Sequence, residues 1–101
     1  MEISKTKNAG GNGIILKASG KLSSSTSEEF DAALNSAIEE TANIVLDFAE
    51  LDYLASAGLR CLISAHKKIR ARQGTLSIIN VAGEVREVFE ITGLEDVFDL
   101  K

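Results

Sequence analysis

The serine of "DYLASAGLRCL", Ser56, has the residue type of a nucleophile, a helix cap or a phosphate acceptor. A nucleophilic serine needs a base within about 3 Å of its oxygen. The single histidine, His66, is ten residues further along the same expected helix, roughly 15 Å away at about 1.5 Å per residue. One chain cannot bring the two together. Ser56 also lacks a Gly-x-Ser-x-Gly elbow, because Leu54, Ala55, Ala57 and Gly58 surround it.

Metal chemistry is no better supplied. Cys61 and His66 stand alone at a spacing of five, which is not a zinc pattern, and the carboxylates form no calcium loop. The pairs Glu28-Glu29, Glu39-Glu40 and Glu95-Asp96 are adjacent in sequence, so on helices they diverge into solvent. Asp47, Glu50 and Asp52 follow an apolar run, near a strand end of the kind where open α/β sheets place their sites. Turn and capping roles suit them better than metal binding. The expectation is a protein without catalytic residues, metal or cofactor.

Two roles remain for Ser56. As a helix N-cap its oxygen would accept a backbone N–H, worth about 1 kcal/mol. As a phosphate acceptor it would hold the anion against free N–H groups and the positive end of the helix dipole. About 1.5 to 2 negative charges would then enter a surface otherwise presenting Ala55, Ala57 and Leu59.

The elements that must position this serine can be read in order. "GGNG", from Gly10 through Gly11 and Asn12 to Gly13, is turn chemistry between Ile3 to Lys7 and the β-prone run from Ile14 to Leu16, which predicts a hairpin. It lacks the Lys-Ser/Thr and the following helix of a phosphate loop. Ser25 with Glu28, or Thr26 with Glu29, has capping-box spacing. Phe30, Ala33, Leu34, Ala37 and Ile38 then form one helical stripe.

"NIVLDF", with the run Ile44 to Phe48, predicts a strand buried on both faces. Leu59, Leu62, Ile63 and Ile69 form a second helical stripe, with His66 on the same side. Lys67, Lys68, Arg70 and Arg72 complement the helix C-terminus before Gln73-Gly74 stops it. "TLSIINV" predicts another strand, and "GEVREVFEITG" a helix with Val85, Val88 and Phe89 inward and Gly93 as its C-cap. "LEDVFDL" predicts an edge strand or a final turn. The alternation implies right-handed crossovers in a largely parallel sheet opened by an antiparallel hairpin.

At 101 residues this is one domain, 1–101. A net charge of -4 and few aromatics argue against nucleic acid as a partner. No apolar run approaches the roughly 18 residues that span a bilayer. The start "MEISKTKNAGGNG" lacks a signal peptide's apolar middle. With one cysteine and no disulfide possible within the chain, a reducing, cytoplasmic location is the expectation.

From "IVLDFAELDYLASAGLRCL" to "ITGLEDVF", together with "ASGKLSSSTSEEF", the chain resembles the STAS domain of bacterial anti-sigma factor antagonists. The resemblance covers nearly the whole chain and is most specific at Asp47, Ser56, Gly58 and Leu59. It implies an α/β domain with a mixed, mostly parallel sheet of four to five strands, an N-terminal hairpin and helices packed on it. It also implies that Ser56 is phosphorylated by a serine kinase that is itself the anti-sigma factor. The unmodified form then sequesters that kinase and frees sigma, and a PP2C-type phosphatase resets the modified form.

The contact surface expected on that basis comprises Ser23, Ser24, Ser25 and Thr26 with Ala55, Ser56, Ala57, Gly58 and Leu59. Two acids common in the family are replaced here, by Ala55 before the serine and by Ser23 after "GKL". The alternative reading is a STAS subunit docked within a transport or signalling assembly, without a switch.

Overall fold

The computed structural model describes residues 1–7, 13–81 and 83–100. β1 (Glu2–Lys7) and β2 (Ile14–Leu22) pair antiparallel, as the expected hairpin requires. Gly10, Gly11 and Asn12 of its turn lie outside the described residues. α1 (Ser27–Glu40), β3 (Asn43–Leu54), α2 (Ser56–Ala71), β4 (Thr75–Ile79), α3 (Gly83–Thr92), a 3₁₀ turn (Leu94–Asp96) and β5 (Asp99–Leu100) follow. The sheet order is β1-β2-β3-β4-β5, and every pairing after the first is parallel.

That order explains one departure from the sequence reading. Right-handed crossovers that always step the same way across a sheet leave all their helices on one side. Ile14, Leu16 and Ala18 of β2, Ile44, Leu46 and Phe48 of β3, and Leu76 and Ile78 of β4 are accordingly buried beneath them. Their alternates Ile15, Lys17, Val45, Asp47, Ser77 and Ile79 are only half-buried. "NIVLDF" is therefore covered on one face, not two. Because the strand order never reverses, the sheet has no topological switch point, and so no crevice of the kind that binds nucleotides in doubly wound folds.

The helical stripes pack as their spacing predicts. Phe30, Leu34, Ala37 and Ile38 are buried on α1 and Leu59, Leu62 and Ile69 on α2, while Ala33 and Ile63 are only half-buried and Ala65, outside the expected stripe, is buried. The two helices also touch through polar groups, with Lys68 Nζ donating to Asn35 Oδ1 at 2.8 Å. The arginine Arg72 reaches the Ile38 carbonyl at the end of α1. Gln73 takes a left-handed φ of 58° to close α2. Gly74 then passes so close to the Ala42 backbone that a Cβ there would clash. On α3, Val85 and Phe89 are buried, and Gly93 closes the helix with φ 73°. Phe89 packs edge-on to Phe98 at 5.8 Å, and His66 meets the same ring at 5.4 Å.

β3 continues six residues past Phe48 and ends at Leu54. Opposite β2 its register slips twice, between Lys17 and Ser19 and between Gly20 and Lys21. Each slip inserts an extra β3 residue, which turns the strand without ending its pairing. Burial along β3 consequently changes from every second residue (Ile44, Leu46, Phe48) to every third (Phe48, Leu51, Leu54). Gly20, at φ 96°, supplies the matching bend in β2.

Candidate functional site

The bulged end of β3 is held by a carboxylate. Asp47 Oδ1 accepts the Ala49 N–H at 3.0 Å and the Asn80 side-chain amide at 2.9 Å. It thereby ties the first bulge to the left-handed residue that ends β4, Asn80 at φ 60°. Glu50 faces Lys17 at 3.4 Å across the β2 pairing, and Asp52 is exposed. The three acids do not converge, and no metal-binding cluster occurs among the described residues. The expected turn and capping roles give way to places inside β3, where Asp47 braces the first bulge and Glu50 pairs with Lys17.

Beyond the bulges, β2 and β3 end side by side. Leu22 pairs with Leu54, and the Ala55 N–H donates to the Leu22 carbonyl at 2.9 Å. The loop beginning at Ser23 and the Ala55 turn into α2 therefore leave adjacent strand ends as neighbours. The expected surface residues fall into two adjoining segments, Ser23 to Thr26 and Ala55 to Leu59.

Within the second segment the capping role of Ser56 does not hold. Ala55 is the N-cap, in an extended conformation (φ -99°, ψ 171°), and Ser56 is the first residue of α2. The Ala55 carbonyl accepts the N–H groups of Gly58 at 3.0 Å and Leu59 at 3.2 Å. The Ser56 side chain is exposed and makes no hydrogen bond among the described residues. The first turn of a helix presents N–H groups without intrahelical acceptors, so the free hydroxyl stands at the positive end of α2. Arg60, exposed and one turn on, lies at i+4 from Ser56. Sequence reasoning did not single out Arg60, although the i+4 spacing contains the signal.

Gly58 explains how the helix starts here. It is buried, and a Cβ on it would stand 2.6 Å from Leu22 Cγ and 2.8 Å from Leu54 Cδ1. Only glycine lets the first turn of α2 close onto the paired strand ends. Leu59 is buried beside it, so of this segment Ser56 alone is fully turned out, with Ala55 and Ala57 half-exposed around it.

The other segment also replaces an expected cap. Thr26 is the N-cap of α1 but makes no side-chain capping bond. Its hydroxyl instead donates to the Lys21 carbonyl at 2.7 Å and accepts the Ser23 N–H at 2.9 Å. Neither capping box forms: Thr26 closes the preceding turn, and Ser25 precedes the N-cap and bonds to Ser23. Ser23 and Ser25 bond to each other at 3.0 Å, and Ser24 is exposed.

Cys61 faces α1 and donates weakly to the Ser27 carbonyl at 3.7 Å. Burial first, and Asp31 second, push its thiol above the ordinary range. It is a packing residue, not a thiolate nucleophile. His66 is half-buried against Phe98.

The sequence model of the STAS domain matches residues 2–101. A candidate anti-sigma factor antagonist of Bordetella bronchiseptica, BtrV, is 36% identical over 84% of this chain and 74% of its own length. The anti-sigma-B factor antagonist of Listeria monocytogenes is 33% identical over 63% of this chain. That alignment spans 56% of the Listeria protein, less than two thirds. Among solved structures, the unphosphorylated form of the anti-sigma factor antagonist SpoIIAA superposes with a TM-score of 0.82, covering 99% of this chain and 88% of that one, at 19% identity. No helix among the described residues is long and apolar enough to cross a membrane.

Proposed function

The chain belongs to the STAS domain family, and from that premise we propose that it is an anti-sigma factor antagonist switched by phosphorylation of Ser56. The unmodified chain sequesters an anti-sigma factor that is also its serine kinase, and so releases a sigma factor. A PP2C-type phosphatase restores the unmodified form. The chain performs no catalysis of its own.

One observation carries this reading: the exposed hydroxyl of Ser56, without a hydrogen bond among the described residues, at the first residue of α2. A phosphate there is compatible with the fold, since an exposed first-turn position displaces no packed atom and faces helix N–H groups. It also places charge among Ala55 and Ala57, where partner contact must remove water. Desolvating a charge costs several kcal/mol, and about 3 kcal/mol already changes affinity a hundredfold. The Ser23 to Thr26 loop supports the reading by its position, bonded edge to edge with the Ser56 segment through Ala55 and Leu22. Its hydroxyls, with Ser23 and Ala55 in place of acids, form a neutral polar rim.

The test is site-mapping mass spectrometry of the protein from its native cells, paired with co-purification on the Ser56→Ala chain. The expected result is phosphate on Ser56 that varies with growth condition, and a kinase retained by the alanine variant. Ser56 unmodified under every condition would count against the switch.

A further inference from the structure

α3 and the end of β3 frame a groove of about 260 Å³ lined by Tyr53, Leu54, Val88 and Ile91 with Glu84 and Glu87. Ile91 is 84% exposed and Tyr53 46%, both unusual for large apolar side chains in the described chain. Glu84, Val88 and Ile91 recur at helical spacing on one face of α3, so the apolar floor and its acidic rim belong to one continuous strip. Among the described residues, no lysine or arginine lines the groove. Arg86, on the same helix, turns its guanidinium toward the Val81 carbonyl at 3.4 Å.

We infer that this groove is a second docking site for the same anti-sigma factor, taking a segment with one large apolar side chain flanked by lysine or arginine. This rests on the proposed role of Ser56. The groove adjoins the proposed surface through the chain itself, because Tyr53 and Leu54 run directly into Ala55 and Ser56. Charge selects the occupant. Glu84 and Glu87 repel nucleic acid and anionic lipid surfaces. A two-fold contact with a second copy would set the same acidic rim against itself. A cationic segment gains from both acids, and its apolar residue covers Ile91 and Tyr53, which otherwise remain in water.

The groove carries no group that phosphorylation changes. It therefore contributes equally to binding of the modified and unmodified chains, and its loss leaves their affinity ratio unaltered.

The test uses the kinase recovered on the Ser56→Ala chain, identified by its transfer of phosphate to Ser56 and then produced pure. Its affinity is measured by calorimetry for the wild-type chain, Ile91→Arg, and the pair Glu84→Lys/Glu87→Lys, each with and without phosphate. Ile91→Arg is expected to weaken binding at least about twentyfold. The charge reversal should weaken it about tenfold, with most of that difference gone at high salt. Thermal melts of both variants should match wild type, since the altered side chains lie at the surface. If both variants bind within about twofold of wild type while Ser56→Glu loses binding, the groove is not a docking site and the switch survives. If no kinase acting on Ser56 is found, the reading of Ser56 fails, and the groove loses its occupant with it.

Discussion

The Ala55 N–H lies 2.9 Å from the Leu22 carbonyl, and this one bond joins the two loops of the proposed contact surface. It forms because β2 and β3 run parallel and end in register at Leu22 and Leu54. Two bulges in β3 make that register possible. The surface is thus a consequence of strand geometry, and its rigidity can be tested one residue at a time.

Gly58 is the first such residue. Gly58→Ala should destabilise the domain by about 1 to 3 kcal/mol, because the new methyl meets Leu22 and Leu54 in a filled space. For a domain this size, each kcal/mol lowers Tm by about 4 to 8 °C. A melt unchanged from wild type would mean that the first turn of α2 can shift away from the strand ends.

Asp47 is the second. Asp47→Ala removes the acceptor of the Ala49 and Asn80 hydrogen bonds, at a cost of about 1 to 3 kcal/mol. Hydrogen exchange at the Ala49 amide should accelerate more than exchange at Leu46 or Ile44. Uniform acceleration along β3 would show that the carboxylate does not hold the bulge locally.

Cys61 gives a pH dependence. Its thiol is raised above the ordinary value of 9.0, chiefly by burial and then by Asp31. A raised folded value means that the contribution is fully present below 9.0, the unfolded value, and is lost as pH rises through the folded one. Stability should therefore decline above pH 9 more steeply in wild type than in Cys61→Ala, as followed by denaturant unfolding. Alkylation of the native protein near pH 8 should be slower than that of a free thiol.

Arg60 tests the electrostatics of the phosphorylated form. A guanidinium one turn from phosphoserine favours the dianion. Phosphorus NMR of the Ser56-phosphorylated chain should give a second ionisation at lower pH than in the phosphorylated Arg60→Ala variant. Identical titrations would place the guanidinium out of reach.

These sites show what the sequence could and could not carry. Helix positions were legible because Phe30, Leu34, Leu59 and Leu62 repeat at helical spacing, and each is buried. The far half of β3 was not, since Phe48, Leu51 and Leu54 recur every third residue, a period that bulges create and an ordinary strand does not. Ser56 and Thr26 both have the residue types of caps. Yet Ala55 caps α2 with its backbone alone, and Thr26 spends its hydroxyl on Lys21 and Ser23. Such outcomes depend on how neighbouring strands end, which local spacing does not encode. The uncovered face of the sheet has the same origin, in a strand order that only the assembled fold reveals. The groove was missed because the stripe of Val85, Val88 and Phe89 gave no role to Ile91, which projects off that stripe into solvent.

The most direct measurement is the affinity of one purified anti-sigma factor for the unmodified and the Ser56-phosphorylated chain, side by side in a calorimeter. A switch at Ser56 predicts that phosphate weakens binding about a hundredfold, or about 3 kcal/mol, while Ser56→Ala binds like the unmodified chain. Equal affinity for the two forms would contradict it.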